Sequence, residues 1–111
     1  MPTKNPQEPF SRLTVQEAKD MLDTGNVDLI DVREPHEYSA GHLPGARLLP
    51  LNTLPTHAGE LDDANPIVFV CAVGQRSALA AEYAAAAGKT NLYNIEGGTD
   101  SWAKSGLPIE K

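Results

Sequence analysis

Ile67-Val68-Phe69-Val70-Cys71-Ala72-Val73-Gly74-Gln75-Arg76-Ser77 is the stretch that decides how this chain folds. Four apolar residues in a row, Ile67 to Val70, read as a strand with both faces covered, as at the centre of a parallel sheet. A short polar loop, Ala72 to Arg76, follows directly. Ser77 to Ala87 then holds seven alanines, the strongest helix formers, and Gly88 is placed to end that helix. The junction itself is chemical. Cys71 is the only cysteine of the chain, and it stands where a strand ends and a helix is about to begin. Backbone N–H groups at a helix start, the helix dipole and the charge of Arg76 all favour the thiolate over the thiol.

Outward from this stretch the chain alternates. Thr14-Val15-Gln16-Glu17 has the spacing of a capping box, and Val15, Ala18 and Leu22 continue at helical intervals until Gly25. Val27 to Val32 reads as a buried strand. Pro35 suits the first turn of a brief helix over 36–38. Ala46 to Leu49 reads as a short strand stopped by Pro50. Leu51, Leu54, Ala58 and Leu61 keep helical spacing around Pro55, so a short or irregular helix is expected there. Leu92 to Ile95 is the last strand, and Asp100 to Ser105 the last short helix. Residues 1–10, with three prolines and little to bury, read as a flexible extension, leaving 11–111 as one domain. Strands that alternate with helices imply an α/β fold with a mostly parallel sheet and helices on both faces. Ligands on such sheets sit beyond the carboxyl ends of the strands, where Cys71 lies.

Composition narrows the function. The 111 residues are 41% hydrophobic and 22% charged, as in an ordinary globular domain. A net charge of -6 with nine scattered Lys and Arg makes nucleic acid a poor partner. An anionic substrate would need a site built locally from amides and one or two arginines. Three histidines, His36, His42 and His57, and one cysteine show no zinc spacing, so no metal is expected. No apolar run reaches membrane length and the first residues lack a secretory apolar core, so a cytoplasmic protein is expected. A single cysteine allows no intrachain disulfide.

Three stretches taken together resemble a known family. They are Asp31-Val32-Arg33-Glu34-Pro35-His36-Glu37-Tyr38-Ser39-Ala40-Gly41-His42-Leu43-Pro44-Gly45-Ala46, then Cys71 to Ser77, then Ile95-Glu96-Gly97-Gly98-Thr99-Asp100-Ser101-Trp102 with Gly106-Leu107-Pro108. In order and spacing they are similar to the single-domain rhodaneses, a family of thiosulfate sulfurtransferases. The resemblance covers about Phe10 to Pro108. It implies a central five-stranded, mostly parallel sheet. It also implies a cysteine that takes a sulfane sulfur from a donor such as thiosulfate, holds it as a persulfide, and passes it to cyanide or a thiol. Cys71 falls on the nucleophile, and Ala72, Val73, Gly74, Gln75, Arg76 and Ser77 fall on the active-site loop. Asp31 and Arg33 fall on a pair expected to brace the site.

Residue chemistry agrees with those roles. Gly74 lets the loop curl, Arg76 can hold the sulfonate end of thiosulfate, and Ser77 can cap the helix or bond sulfur. No metal or organic cofactor is needed. The expected partners are a small-molecule donor and acceptor, with a thioredoxin-like or sulfur-relay protein as a further acceptor. The expected state is a monomer or weak homodimer. Two other readings stand beside this one. A cysteine phosphatase or arsenate reductase also sets a cysteine before an anion loop, but its pattern has one residue more between Cys and Arg than the four here, Ala72 to Gln75. A binding module could keep the fold without turnover, since fold alone carries no activity. Trp102 is expected to pack rather than to line a pocket.

Overall fold

The structure, a computed structural model, describes residues 2–111. The capping box at Thr14 forms: Thr14 Oγ1 accepts the Glu17 amide at 3.1 Å, and Glu17 Oε1 accepts the Thr14 amide at 2.9 Å. Helix α1 (Val15–Leu22) therefore starts where the sequence places it. Strands β3 (Asp28–Asp31), β5 (Ile67–Val70) and β6 (Leu92–Ile95) run parallel side by side, with β4 (Arg47–Leu48) beyond β3. Helix α2 (Pro35–Ala40) follows β3, with Pro35 in its first turn. The 51–61 segment is broken: a 3-10 turn (Leu51–Thr53), α3 (Leu54–His57), and a second 3-10 turn (Ala58–Glu60). Pro55 sits in the first turn of α3, where its missing N–H leaves no bond unmade.

Among the described residues the sheet has six strands, one more than the family resemblance implies. Its order is β1-β2-β6-β5-β3-β4, in which β1 is Thr3–Lys4 and β2 is Ser11–Leu13. The five strands from β2 to β4 are mutually parallel, and β1 alone runs antiparallel, paired to β2. The additional strand comes from the segment read as a flexible extension. It covers the open edge of β2, the row of unpaired backbone groups that an edge strand otherwise exposes. Phe10, 1% exposed, anchors that segment in the core. Two- and three-residue strands carry too short an alternation to be read from sequence.

Two cores lie on opposite sides of the sheet. Alternation along β5 sends Ile67, Phe69 and Cys71 to one side and Val68 and Val70 to the other. The first side is covered by α3 and by α4 (Gln75–Ala86), through Leu54, Ala80, Ala81 and Ala84. The second is covered by α1 and by α5 (Gly98–Lys104), through Ala18 and Trp102. Trp102 is 2% exposed, and its indole N–H donates to Pro108 O at 2.7 Å, tying down the chain beyond α5. No helix among the described residues is long and apolar enough to cross a membrane.

Candidate active site

Helix α4 begins two residues before the expected Ser77. Gly74 is its N-cap, in a left-handed conformation at φ 102°. A β-carbon there would stand 3.3 Å from Gly97 N and 3.4 Å from Ile95 O, so both the turn and the close packing suit glycine. Arg76 and Ser77 are thereby drawn into the first turn. Side chains on a helix lean toward its N-terminus, and Ser77 leans back onto Cys71. Ser77 Oγ lies 3.3 Å from Cys71 Sγ, and the Gly74 amide donates to Sγ at 3.1 Å. Cys71 and Ser77 are both fully buried.

The loop is turned by α5. The amide and hydroxyl of Thr99 donate to Cys71 O at 2.8 and 3.1 Å, and the Asp100 amide donates to Ala72 O at 3.0 Å. In a trans peptide the N–H opposes the C=O. With the carbonyls of Cys71 and Ala72 tied to α5, the amides of Ala72 and Val73 face the other way. Gly98 makes this approach possible, since a β-carbon there would stand 2.2 Å from Cys71 O. Val73 and Gln75 project outward, Val73 with 53% of its surface exposed. A cleft of about 330 Å³ adjoins the loop, lined by Arg12, Val73, Gly74, Gln75, Asn94 and Glu96 among others.

Each arginine at this end of the sheet already holds a carboxylate. Arg76, expected to grip a sulfonate, forms a two-pronged pair with Glu37 on α2, at 2.7 and 2.9 Å. This pair holds the Glu37 carboxyl down at about 2 and raises the guanidinium. The compensating anion that an arginine in a helix's first turn calls for is thus supplied by the protein itself. Asp31 and Arg33 form a buried pair. Arg33 Nε donates to both Asp31 oxygens at 3.0 and 3.1 Å, and Nη2 to Oδ2 at 2.8 Å. Arg33 Nη2 also donates to Gly41 O at 2.7 Å, so the pair fastens the end of α2 to the end of β3. Asp31 and Arg33 are thus connected to Arg76 through α2 and Glu37. Arg12 bonds Glu8 and Glu96.

Sequence reading missed Glu37, Thr99 and Asn94. Glu37 carried no signal beyond belonging to the long quoted stretch. Asn94 did carry one: it is the polar residue inside the otherwise apolar Leu92-Tyr93-Asn94-Ile95.

A family model, that of the rhodanese-like domain, matches residues 14–105. The chain belongs to the rhodanese-like family. Among solved members of this fold, a rhodanese-like domain protein from Staphylococcus aureus is 35% identical, with 90% of this chain and 98% of that one aligned at a TM-score of 0.77. The human single-domain sulfurtransferase TSTD1 is 28% identical over 86% of this chain and 96% of that one, with a TM-score of 0.73. A Rhodopseudomonas palustris protein of unknown function, described as a possible tyrosine phosphatase, is 28% identical. It covers 99% of both chains with a TM-score of 0.84.

Proposed function

We propose that this chain is a sulfurtransferase that carries a sulfane sulfur on Cys71. The supporting observation is the placement of Sγ at the end of β5, with the Gly74 N–H at 3.1 Å and the Ser77 hydroxyl at 3.3 Å. Such donors stabilise negative charge on sulfur, which is the form that attacks. The Cys71 thiolate attacks the outer sulfur of thiosulfate or of another persulfide donor. The donor's S–S bond breaks, and sulfite or a thiolate leaves with the electron pair. Cys71 is left as a persulfide anion. A thiolate or cyanide then attacks the terminal sulfur and departs as a persulfide or thiocyanate, and the Cys71 thiolate returns. A partner protein's thiol in a sulfur relay would discharge it in the same way. Cys71 is the only cysteine, so the discharging thiol comes from outside the chain.

Cys71 has no exposed surface, so loading begins with a movement of the loop. Arg76 acts in this reading as a brace that sets the first turn of α4, because its guanidinium is already committed to Glu37. The four residues between Cys71 and Arg76 make a tighter ring than a phosphatase loop, which favours a single sulfur over a tetrahedral phosphate.

Intact-protein mass spectrometry after exposure to thiosulfate, and separately to an alkyl persulfide, tests the assignment. The expected result is a gain of one sulfur atom, removed by cyanide or a reductant and absent in Cys71→Ser. No gain from either donor, or rapid aryl phosphate turnover that Cys71→Ser abolishes, refutes it.

A further inference from the structure

Asn94 is 3% exposed in β6, among residues that are otherwise apolar. Strand alternation places it with Leu92 on the α4 side of the sheet, and its backbone partner in β5 is Phe69, two residues before Cys71. Its Nδ2 donates to Gly74 O at 3.2 Å, and its Oδ1 accepts from Ser77 Oγ in a short hydrogen bond. The Gly74 carbonyl fixes the direction of the amide, because a flipped Asn94 would set oxygen against oxygen. Asn94 therefore touches both residues whose groups face Sγ, and it competes with the sulfur only for the hydroxyl of Ser77.

A serine hydroxyl has one proton to give. Ser77 Oγ has two acceptors within reach, Asn94 Oδ1 and Cys71 Sγ. We infer that Asn94 is a positioning residue that holds the Ser77 proton while the sulfur is uncharged and releases it to Sγ when the sulfur carries charge. In the thiol state the hydroxyl donates to Asn94, and the S–H donates to Ser77 Oγ. In the thiolate state the hydroxyl turns to Sγ, in the persulfide it turns to the outer sulfur, which then carries the charge, and in both Asn94 Oδ1 gives up its donor. Turning the hydroxyl breaks no covalent bond; the S–H bond breaks when the thiol ionises, its electron pair stays on Sγ, and its proton leaves to solvent. The persulfide part of this inference rests on the sulfur-transfer reading, but the switch itself does not.

The test is thiolate absorbance at 240 nm followed against pH, with no sulfur donor present. Asn94→Leu fills the space, removes the competing acceptor and leaves Ser77 only the sulfur. The thiolate should form at lower pH, with the acid constant raised about three- to tenfold, the worth of one buried hydrogen bond. In a Ser77→Ala background the same change should have no effect. Asn94→Asp keeps an acceptor and adds a negative charge, so the thiolate should form at higher pH. The charged groups around Cys71, Arg76 with Glu37 from α4 and α2 and Asp31 at the end of β3 with Arg33 just beyond it, are common to all these variants.

Shifts of the same sign in Leu and Asp variants, or a Leu shift that survives Ser77→Ala, overturn the inference. If Asn94→Leu does not fold, the Asp variant decides: an unchanged or lower titration refutes the switch. Sulfur uptake by the unmodified protein is read separately. Uptake without the titration shifts sinks the switch alone, and the shifts without uptake sink the sulfur-transfer reading alone.

Discussion

Replacing Gly98 by alanine should separate the loop from the helix that turns it. Gly98 has φ +56°, and a β-carbon there would lie 2.2 Å from Cys71 O and 2.7 Å from both Ala72 C and Ala72 O. All three are backbone atoms with no rotamer to yield. Relief requires α5 to withdraw by roughly an ångström, toward ordinary contact distance. That stretches the bonds from Thr99 and Asp100 to the Cys71 and Ala72 carbonyls, now 2.8 to 3.1 Å, out of hydrogen-bond range. At about 1 kcal/mol for each buried bond, the loss is about 2–3 kcal/mol. The left-handed backbone adds about 1 kcal/mol for a residue with a β-carbon. Gly25→Ala is the control. It has φ +83° but nothing within 4 Å of the added carbon, so it carries only the backbone cost, about 1 kcal/mol. Urea unfolding of the two variants should therefore differ by about 2–3 kcal/mol. Sulfur uptake by folded Gly98→Ala should also slow by about a hundredfold, because the amides of Ala72 and Val73 are no longer held in place. If the two variants are equally stable, or if Gly98→Ala loads sulfur at the native rate, the account of how the loop is oriented is wrong.

Further outcomes follow from the two ion pairs. Glu37 titrates at about 2 in the folded protein, held down chiefly by the Arg76 hydrogen bonds, against 4.5 for a free glutamate. The stability that this difference contributes is fully present above pH 4.5 and is lost as pH falls through about 2. Both side chains are partly open to solvent, so Arg76→Ala should cost about 2 kcal/mol at pH 7 rather than the full value of the shift. Urea unfolding should show that gap narrowing as the pH is taken below 4.5, whereas a constant gap would mean the pair does not matter. Arg76→Ala should also slow loading from thiosulfate and from an alkyl persulfide, which has no sulfonate, alike. A loss confined to thiosulfate would restore a direct anion role for Arg76. Arg33→Met leaves Asp31 buried and unpaired and should cost about 3–5 kcal/mol. Adding Asp31→Asn should recover part of that loss, and a double variant less stable than Arg33→Met contradicts the buried-charge explanation.

Much of this molecule is legible in local sequence because much of it is locally caused. The capping box at Thr14, the apolar run of β5 and the alanines of α4 each specify their own element, and the structure has all three. The short strands β1 and β2 were not legible, because two or three residues show no period. Their pairing depends on an edge that exists only once β6 has joined the sheet. The start of α4 slipped by two residues for a related reason. Alanine favours a helix interior without marking its end, and the actual cap is a glycine that supplies a left-handed turn instead of a side-chain oxygen.

The chain order alone determined that a single cysteine stands between a buried strand and a helix, inside motifs shared with sulfurtransferases. It could not determine the company that cysteine keeps. The carboxylate on Arg76 comes from 39 residues earlier, the amides that turn the loop come from α5, and the amide that holds Ser77 comes from β6. None of these partners is near Cys71 in sequence. They meet because a parallel sheet brings the carboxyl ends of its strands, and the helix starts that follow them, to one edge, where every buried polar group must find a partner from another segment.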